Sequence, residues 1–247
     1  MKKRILLALL LLAAPLAAIN VSGDITLVHF ADGLQWTTTF TILNLDTAQA
    51  SYTLYFYDDN GNPLNLGIVG MVGAVPSVSN VLAVNGSNVI QTTGGGVGVR
   101  QGWARLNSSQ KLGTQAVFVE HTNAANYEAA VPAVPSNQYS DAFRIAFDNT
   151  NGYFTGVAIA NWDSLNPVTL TATFRDPTGG QIVSAQLPAP IKPYGHTSIL
   201  LNLTFPITAN QIGTVDFTCA PSFCTISGIG LRFDPNGPFT STAAYGL

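Results

Sequence analysis

Charge is scarce in this chain. Only 9% of its 247 residues are Asp, Glu, Lys or Arg, and no Lys or Arg lies between Arg4 and Arg100. A nucleic-acid partner is therefore disfavoured, because holding phosphates needs clustered cations. Three of the ten basic residues are Lys2, Lys3 and Arg4; without them seven face thirteen acidic residues, a balance of −6. Histidine numbers three and cysteine two, and two Cys without a nearby His make a poor metal site. Beyond the N-terminal stretch no apolar run is long enough for a transmembrane anchor. His-Glu-x-x-His, Gly-x-Ser-x-Gly and a phosphate-binding Gly-Lys-Ser/Thr loop are also missing. These absences speak against an enzyme, and no cofactor is expected.

What is present begins with Lys2-Lys3-Arg4 followed by the uncharged run Ile5 to Ala14, the form of a secretory signal peptide. Cleavage after Ala18 is preferred to cleavage after Gly23, giving a signal peptide of residues 1–18. No Cys follows the run, so a lipid anchor has no attachment point. Hydrophobic residues make up 47% of the chain, and the rest is dominated by Thr, Asn, Ser and Gly, a sheet-forming composition. Cys219 and Cys224 have four residues between them. In an exported chain that spacing predicts a structural disulfide pinching a turn between two strands.

The chain also contains itself twice. Trp36–Asn44 matches Tyr153–Asn161 at an offset of 117, which also carries Asp46 onto Asp163, Tyr57 onto Phe174 and Asp59 onto Asp176. Gly86–Ile90 meets Gly195–Ile199 at 109, and Gly102 meets Gly213 at 111, so the first copy holds extra residues within Leu64–Asn85. Short alternating runs separated by turns such as Asp59-Asn60-Gly61-Asn62-Pro63 predict an all-β fold: two tandem immunoglobulin-like antiparallel β-sandwich repeats after a signal peptide. The expected boundaries are 24–123 for the first repeat, 124–141 for a linker, and 142–247 for the second repeat; the stretch Thr122–Ser140, with Pro132 and Pro135, reads as a linker or an edge-strand crossover.

The segments His29–Phe40, Phe56–Leu64 and Gln101–Leu106 resemble a repeat found in uncharacterised exported bacterial proteins, notably of acidobacterial type. Pro193–Leu200 is similar to the loop-and-strand of bacterial immunoglobulin-like surface modules. The resemblance covers most of residues 25–234. It implies fold and export, and it brings no activity and no site residues.

Candidate chemistry is thin. His29, His121 and His196 have no histidine at their repeat equivalents. Gly94–Gly98 lacks a following Lys and reads as a flexible loop. Asp58 and Asp59 offer oxygens to calcium, but Asp59-Asn60-Gly61 is already explained as a turn that needs positive φ, and the full calcium-loop pattern is absent. The faces of equivalent strands say more. In the second repeat Leu170, Ala172 and Phe174 alternate with threonines, and the apolar set must face the core. Carrying that register back at the offset of 117 turns Thr53, Tyr55 and Tyr57 inward and places Tyr52, Leu54, Phe56 and Trp103 outside. Phe118 joins them, because Val117 and Val119 match Ile229 and Leu231, which alternation turns toward the core. Such an aromatic face needs a cover, expected from within the chain, chiefly from Leu64–Asn85 or else from the neighbouring repeat; failing that, it marks a site for another surface protein or a glycan. The leading function is a non-enzymatic secreted or cell-surface module of structural or adhesive type. Carbohydrate binding on the aromatic face is the alternative. A periplasmic pilus chaperone ranks behind both, because the basic residues it needs early in the mature chain are missing.

Overall fold

The computed structural model describes residues 23–220 and 224–247; the expected signal peptide, residues 1–18, lies outside the described residues. The chain is all-β. Its first half supplies β1 (Ile25–Asp32), β2 (Trp36–Asn44), β3 (Ala50–Tyr57), β4 (Leu66–Gly67), β5 (Ala74–Val75), β6 (Ser77–Leu82), β7 (Ser87–Gln91), β8 (Arg100–Ser108), β9 (Leu112–His121) and β10 (Asn126–Pro135). The second supplies β11 (Ala142–Asp148), β12 (Phe154–Asn161), β13 (Thr169–Arg175), β14 (Gln181–Gln186), β15 (His196–Leu200), β16 (Ile212–Ala220), β17 (Ile226–Phe233), β18 (Phe239–Thr242) and β19 (Tyr245–Gly246).

In the first half eight strands form one antiparallel sheet in the order β6-β3-β8-β1-β10-β9-β2-β7. It folds over on itself, so that Phe40 of β2 meets Phe56 of β3 with ring centroids 5.6 Å apart. The second half repeats the order in two pieces, β14-β13-β16-β11-β19 and β15-β12-β17-β18. The difference is the last strand. β10 is continuous and pairs with β9 through its first part and with β1 through its end, whereas the corresponding segment of the second half is broken into β18 and β19. The stretch 124–141, expected as a linker, thus carries a strand that closes the first half.

Sheet faces correct the expected register. Tyr52, Leu54 and Phe56 point into the core and are buried, while Tyr55 is exposed and Thr53 and Tyr57 are half-buried. Phe56 pairs with Ala104 and Phe174 with Val215, so β3 matches β13 at an offset of 118. The extra residue can be placed. Asn44 and Asn161 accept from the N–H groups of Asp46 and Asp163, still at 117, but their amides donate to the carbonyls of Ala48 and Asn166, at 118. One additional residue between Asp163 and Asn166 flips every side chain of the following strand relative to the naive alignment. Phe118 also faces the core, from β9 on the opposing layer rather than beside β3 and β8.

The segment Leu64–Asn85 does not cover an aromatic face. It holds the β4–β5 hairpin and edge strand β6. Leu66 and Ile68 enter the core, and Ile68 bridges to Thr92 near the end of β7, so the hairpin closes one side of the first half. Cys219 and Cys224 form the expected disulfide. It staples the connection from β16 to β17, which belong to different sheets, so it ties two layers together rather than pinching a hairpin. No helix among the described residues is long and apolar enough to cross a membrane.

Candidate functional site at the seam between the halves

All eight residues of β1 are buried. A strand with only one covered face would alternate; here one face meets the first core, and the other meets the second half. The register of β1 against β8 shifts between Leu27 and Phe30, and this bulge places His29 on the seam.

Two loops singled out by their sequences meet His29 there. In the turn after β3, Asp58 Oδ1 accepts from the backbone N–H groups of Asn60 and Asn62, each at 2.8 Å. Gly61 has φ +80°, and a Cβ on it would overlap the carbonyl oxygen of Pro193. Only glycine permits both the left-handed backbone and so close an approach. Docked this way, the turn presents Asp59 to the second half: Asp59 Oδ1 accepts from His196 Nδ1 at 2.7 Å, and its Oδ2 accepts from Gln101 Nε2 at 3.1 Å. His196 Nε2 lies 3.2 Å from His29 Nδ1. The result is a chain Asp59–His196–His29 crossing the seam. Asp58 and Asp59, the calcium candidates, thus serve different partners, one its own turn and the other a histidine.

The electrostatics follow from burial. Burial disfavours the charged imidazolium of His29, His196 adds repulsion, and attraction from Asp59 only partly offsets them, so the His29 pKa falls from 6.5 to about 3. Burial alone would raise the Asp59 carboxyl, but the hydrogen bond and charge of His196 and the bond from Gln101 hold it below its ordinary value.

Around this polar chain the seam is apolar. Ala158 and Ala160 of β12 and Ile229 and Leu231 of β17 turn away from the second half's own core and join the first. This corrects the expectation for Ile229 and Leu231. The positions facing their own core are Gly228 and Gly230, where a Cβ would collide with Phe143 and Ile145; those larger side chains fill the space instead. Phe239 stacks on Phe118 at 5.5 Å and lies 5.6 Å from Trp36. Trp103, expected on an open face, is buried against Tyr57 and Tyr194, and its Nε1 donates to the Tyr194 carbonyl at 2.7 Å. Of the proposed aromatic face, Tyr52, Leu54, Phe56 and Phe118 are core residues and Trp103 is covered by the second half.

No family model, curated protein or solved structure matches the chain. Beside the histidine pair the seam leaves a cleft of about 240 Å3, lined by His29, Trp36, Phe118, Gly156, Leu231 and Phe233 among others. Sequence reasoning named His29 and His196 without joining them, since they lie 167 residues apart. Neither has a histidine at its repeat equivalent, but that does not single them out, because His121 shares the property and bonds to Thr37 and Asn126 within the first half.

The seam makes a direct prediction. Phe239→Ala removes the ring that stacks on Phe118, and a buried Phe truncated to Ala typically costs about 3 kcal/mol or more. Denaturant unfolding should show that loss together with increased proteolytic cleavage in 136–141. A loss below about 1 kcal/mol would mean that the halves are held elsewhere.

Proposed function

We propose that the chain is a non-enzymatic, exported protein of structural or adhesive type, built from two tandem immunoglobulin-like sandwiches, 24–135 and 142–247, that act as one body at or beyond the cell surface. The observation that carries this reading is the seam: the outer face of β12 and β17 completes the core of the first half, so the two units are mechanically joined rather than strung on a flexible tether. Shared strand order, the matching amide clamps of Asn44 and Asn161 and the matching Gly102 and Gly213 support two copies of one unit. The disulfide suits an oxidising compartment, and the basic-then-apolar start suits export. The Asp59–His196–His29 chain is accounted for as a structural bridge, since among the described residues no Ser, Thr or Cys side chain hydrogen-bonds to His29. A glycan platform loses its support, because Tyr52, Leu54, Phe56, Trp103 and Phe118 are all buried.

Cell fractionation of a C-terminally tagged full-length chain tests the reading. The expected product lies outside the cytoplasm, has lost residues 1–18, has Cys219 and Cys224 oxidised and shows no turnover across a broad hydrolase panel. An unprocessed cytoplasmic chain, or reproducible turnover that His196→Ala abolishes, would overturn it.

A further inference from the structure

We propose that the seam cleft is a binding site for a small, uncharged, single-ring molecule carrying one hydroxyl, a phenol in its simplest form, with His29 Nε2 accepting the hydroxyl proton in a hydrogen bond. The proposal goes beyond the structural or adhesive reading and does not depend on it.

Size comes first. The cleft holds about 240 Å3. An apolar cavity of about 150 Å3 suffices for benzene, and drug-sized ligands need upward of about 300 Å3, so one substituted ring fits. The space exists because the seam face of β12 is small: a Cβ on Gly156 would sit 3.0 Å from the Phe233 ring and 3.4 Å from Leu200 Cδ2. Val99 and Ser198 are exposed and stand at the rim, while Phe118, Leu231 and His29 are buried. Trp36, Phe118 and Phe233 supply flat aromatic walls, against which another ring is favoured in offset or edge-on packing.

Polarity then selects the substituent. Among the described residues no Lys or Arg lines the cleft, so an anion would enter without a counter-charge and is disfavoured. Gln101 and Ser198 are committed to other partners: Gln101 Nε2 donates to Asp59, and Gln101 Oε1 accepts from Ser198 Oγ at 2.9 Å. His29 is not. Its ring is only 6% exposed and lines the cleft, its Nδ1 is bonded to His196, and among the described residues Nε2 has no protein partner. Nε2 is not among the enclosed side-chain atoms that lack a partner, so it is open to the cleft, where a ligand hydroxyl can take the place of water.

The chain across the seam fixes what that atom must be. A carboxylate only accepts, so His196 must donate from Nδ1 to Asp59. In the form of the chain where the proton on Nδ1 is the only one His196 carries, its Nε2 is an acceptor, His29 donates to it from Nδ1, and His29 Nε2 keeps a lone pair on the cleft side. The site therefore asks for a donor. A hydroxyl on an aromatic ring supplies one, whereas an ether or an unsubstituted ring does not.

The test uses the full mature chain at about pH 8, with phenol, anisole, toluene and benzoate as probes. Binding is followed by Trp36 fluorescence and by the 15N resonance of His29 Nε2. Phenol is expected to bind about tenfold more tightly than anisole or toluene, the worth of one well-made hydrogen bond, and to shift the Nε2 resonance, while benzoate does not bind. His29→Phe should erase the preference for phenol. Val99→Trp, at the exposed rim, should weaken all the neutral probes and keeps the proposal testable if the buried His29 variant does not fold. Equal binding of phenol and anisole by the native chain, an Nε2 resonance unmoved by saturating phenol, or no response to any neutral probe would overturn the proposal.

Discussion

Replacing Gly213 or Gly102 by valine is expected to abolish folding, or to cost more than about 4 kcal/mol where any folded protein survives. Gly213 sits on β16 under the end of β13, and a Cβ there would overlap the carbonyl oxygen of Arg175 and reach within 3.3 Å of Asp176 Cα. Gly102 stands in the same relation to Tyr57 and Asp58 on β8 and β3. The obstructing atoms are backbone in both halves, held by the strand pairings of β13 with β16 and β3 with β8. No rotamer change can relieve the clash; one strand must move away from its neighbour. Gly98 provides the contrast, because a Cβ there meets nothing within 4 Å, and Gly98→Ala should stay within about 0.5 kcal/mol of the parent. Soluble yield and denaturant unfolding of the three variants make the comparison. If Gly213→Val unfolds within about 1 kcal/mol of the parent, the close approach is not what holds glycine in place.

The same two glycines mark what could be read from the sequence. Gly102 and Gly213, Asn44 and Asn161, and Gly86 and Gly195 each do one geometric job in both halves, so the residue types recur in the same order and reveal the repeated pattern of strands even though the distances between them differ. The disulfide was legible for a similar reason, being local and written in residue type. Faces were another matter. One residue added between Asp163 and Asn166 leaves the flanking anchors recognisable yet exchanges the inside and outside of the next strand, and Tyr52, Leu54 and Phe56 were misplaced by that single step. Periodicity also says that a strand has two faces without saying what each one meets. Ile229 and Leu231 alternate as core residues do, and they are buried, but in the other half's core. The site was hidden more deeply. Asp59 and His196 are 137 residues apart, and nothing local to either indicates that the Asp58–Asn62 turn docks on the loop before β15.

Acid should destabilise this protein well before ordinary carboxylates titrate. In the unfolded chain His29 takes up a proton as the pH falls through 6.5, whereas in the folded protein it stays neutral down to about 3. Between those values the unfolded state binds one more proton than the native state, so stability falls as the pH falls. Above 6.5 the contribution is fully present. Each pH unit inside the window removes roughly 1.4 kcal/mol, and the whole window is worth on the order of 5 kcal/mol, a large part of a typical domain's stability of about 5–15 kcal/mol. Asp59 acts in the same direction at lower pH. Its carboxyl is held below its ordinary 3.8 chiefly by His196 and Gln101 against the effect of burial, so protonating it withdraws further stability and breaks the bridge to His196. Unfolding free energies measured by denaturant at about pH 7.5, 6.5, 5.5 and 4.5 should decline along this course, and His29→Phe should remove the slope above about pH 5 even if it lowers the plateau. A native protein equally stable at pH 6.5 and 4.5 would show that His29 is not kept neutral by the seam, and the charge pattern drawn for Asp59, His196 and His29 would have to be abandoned.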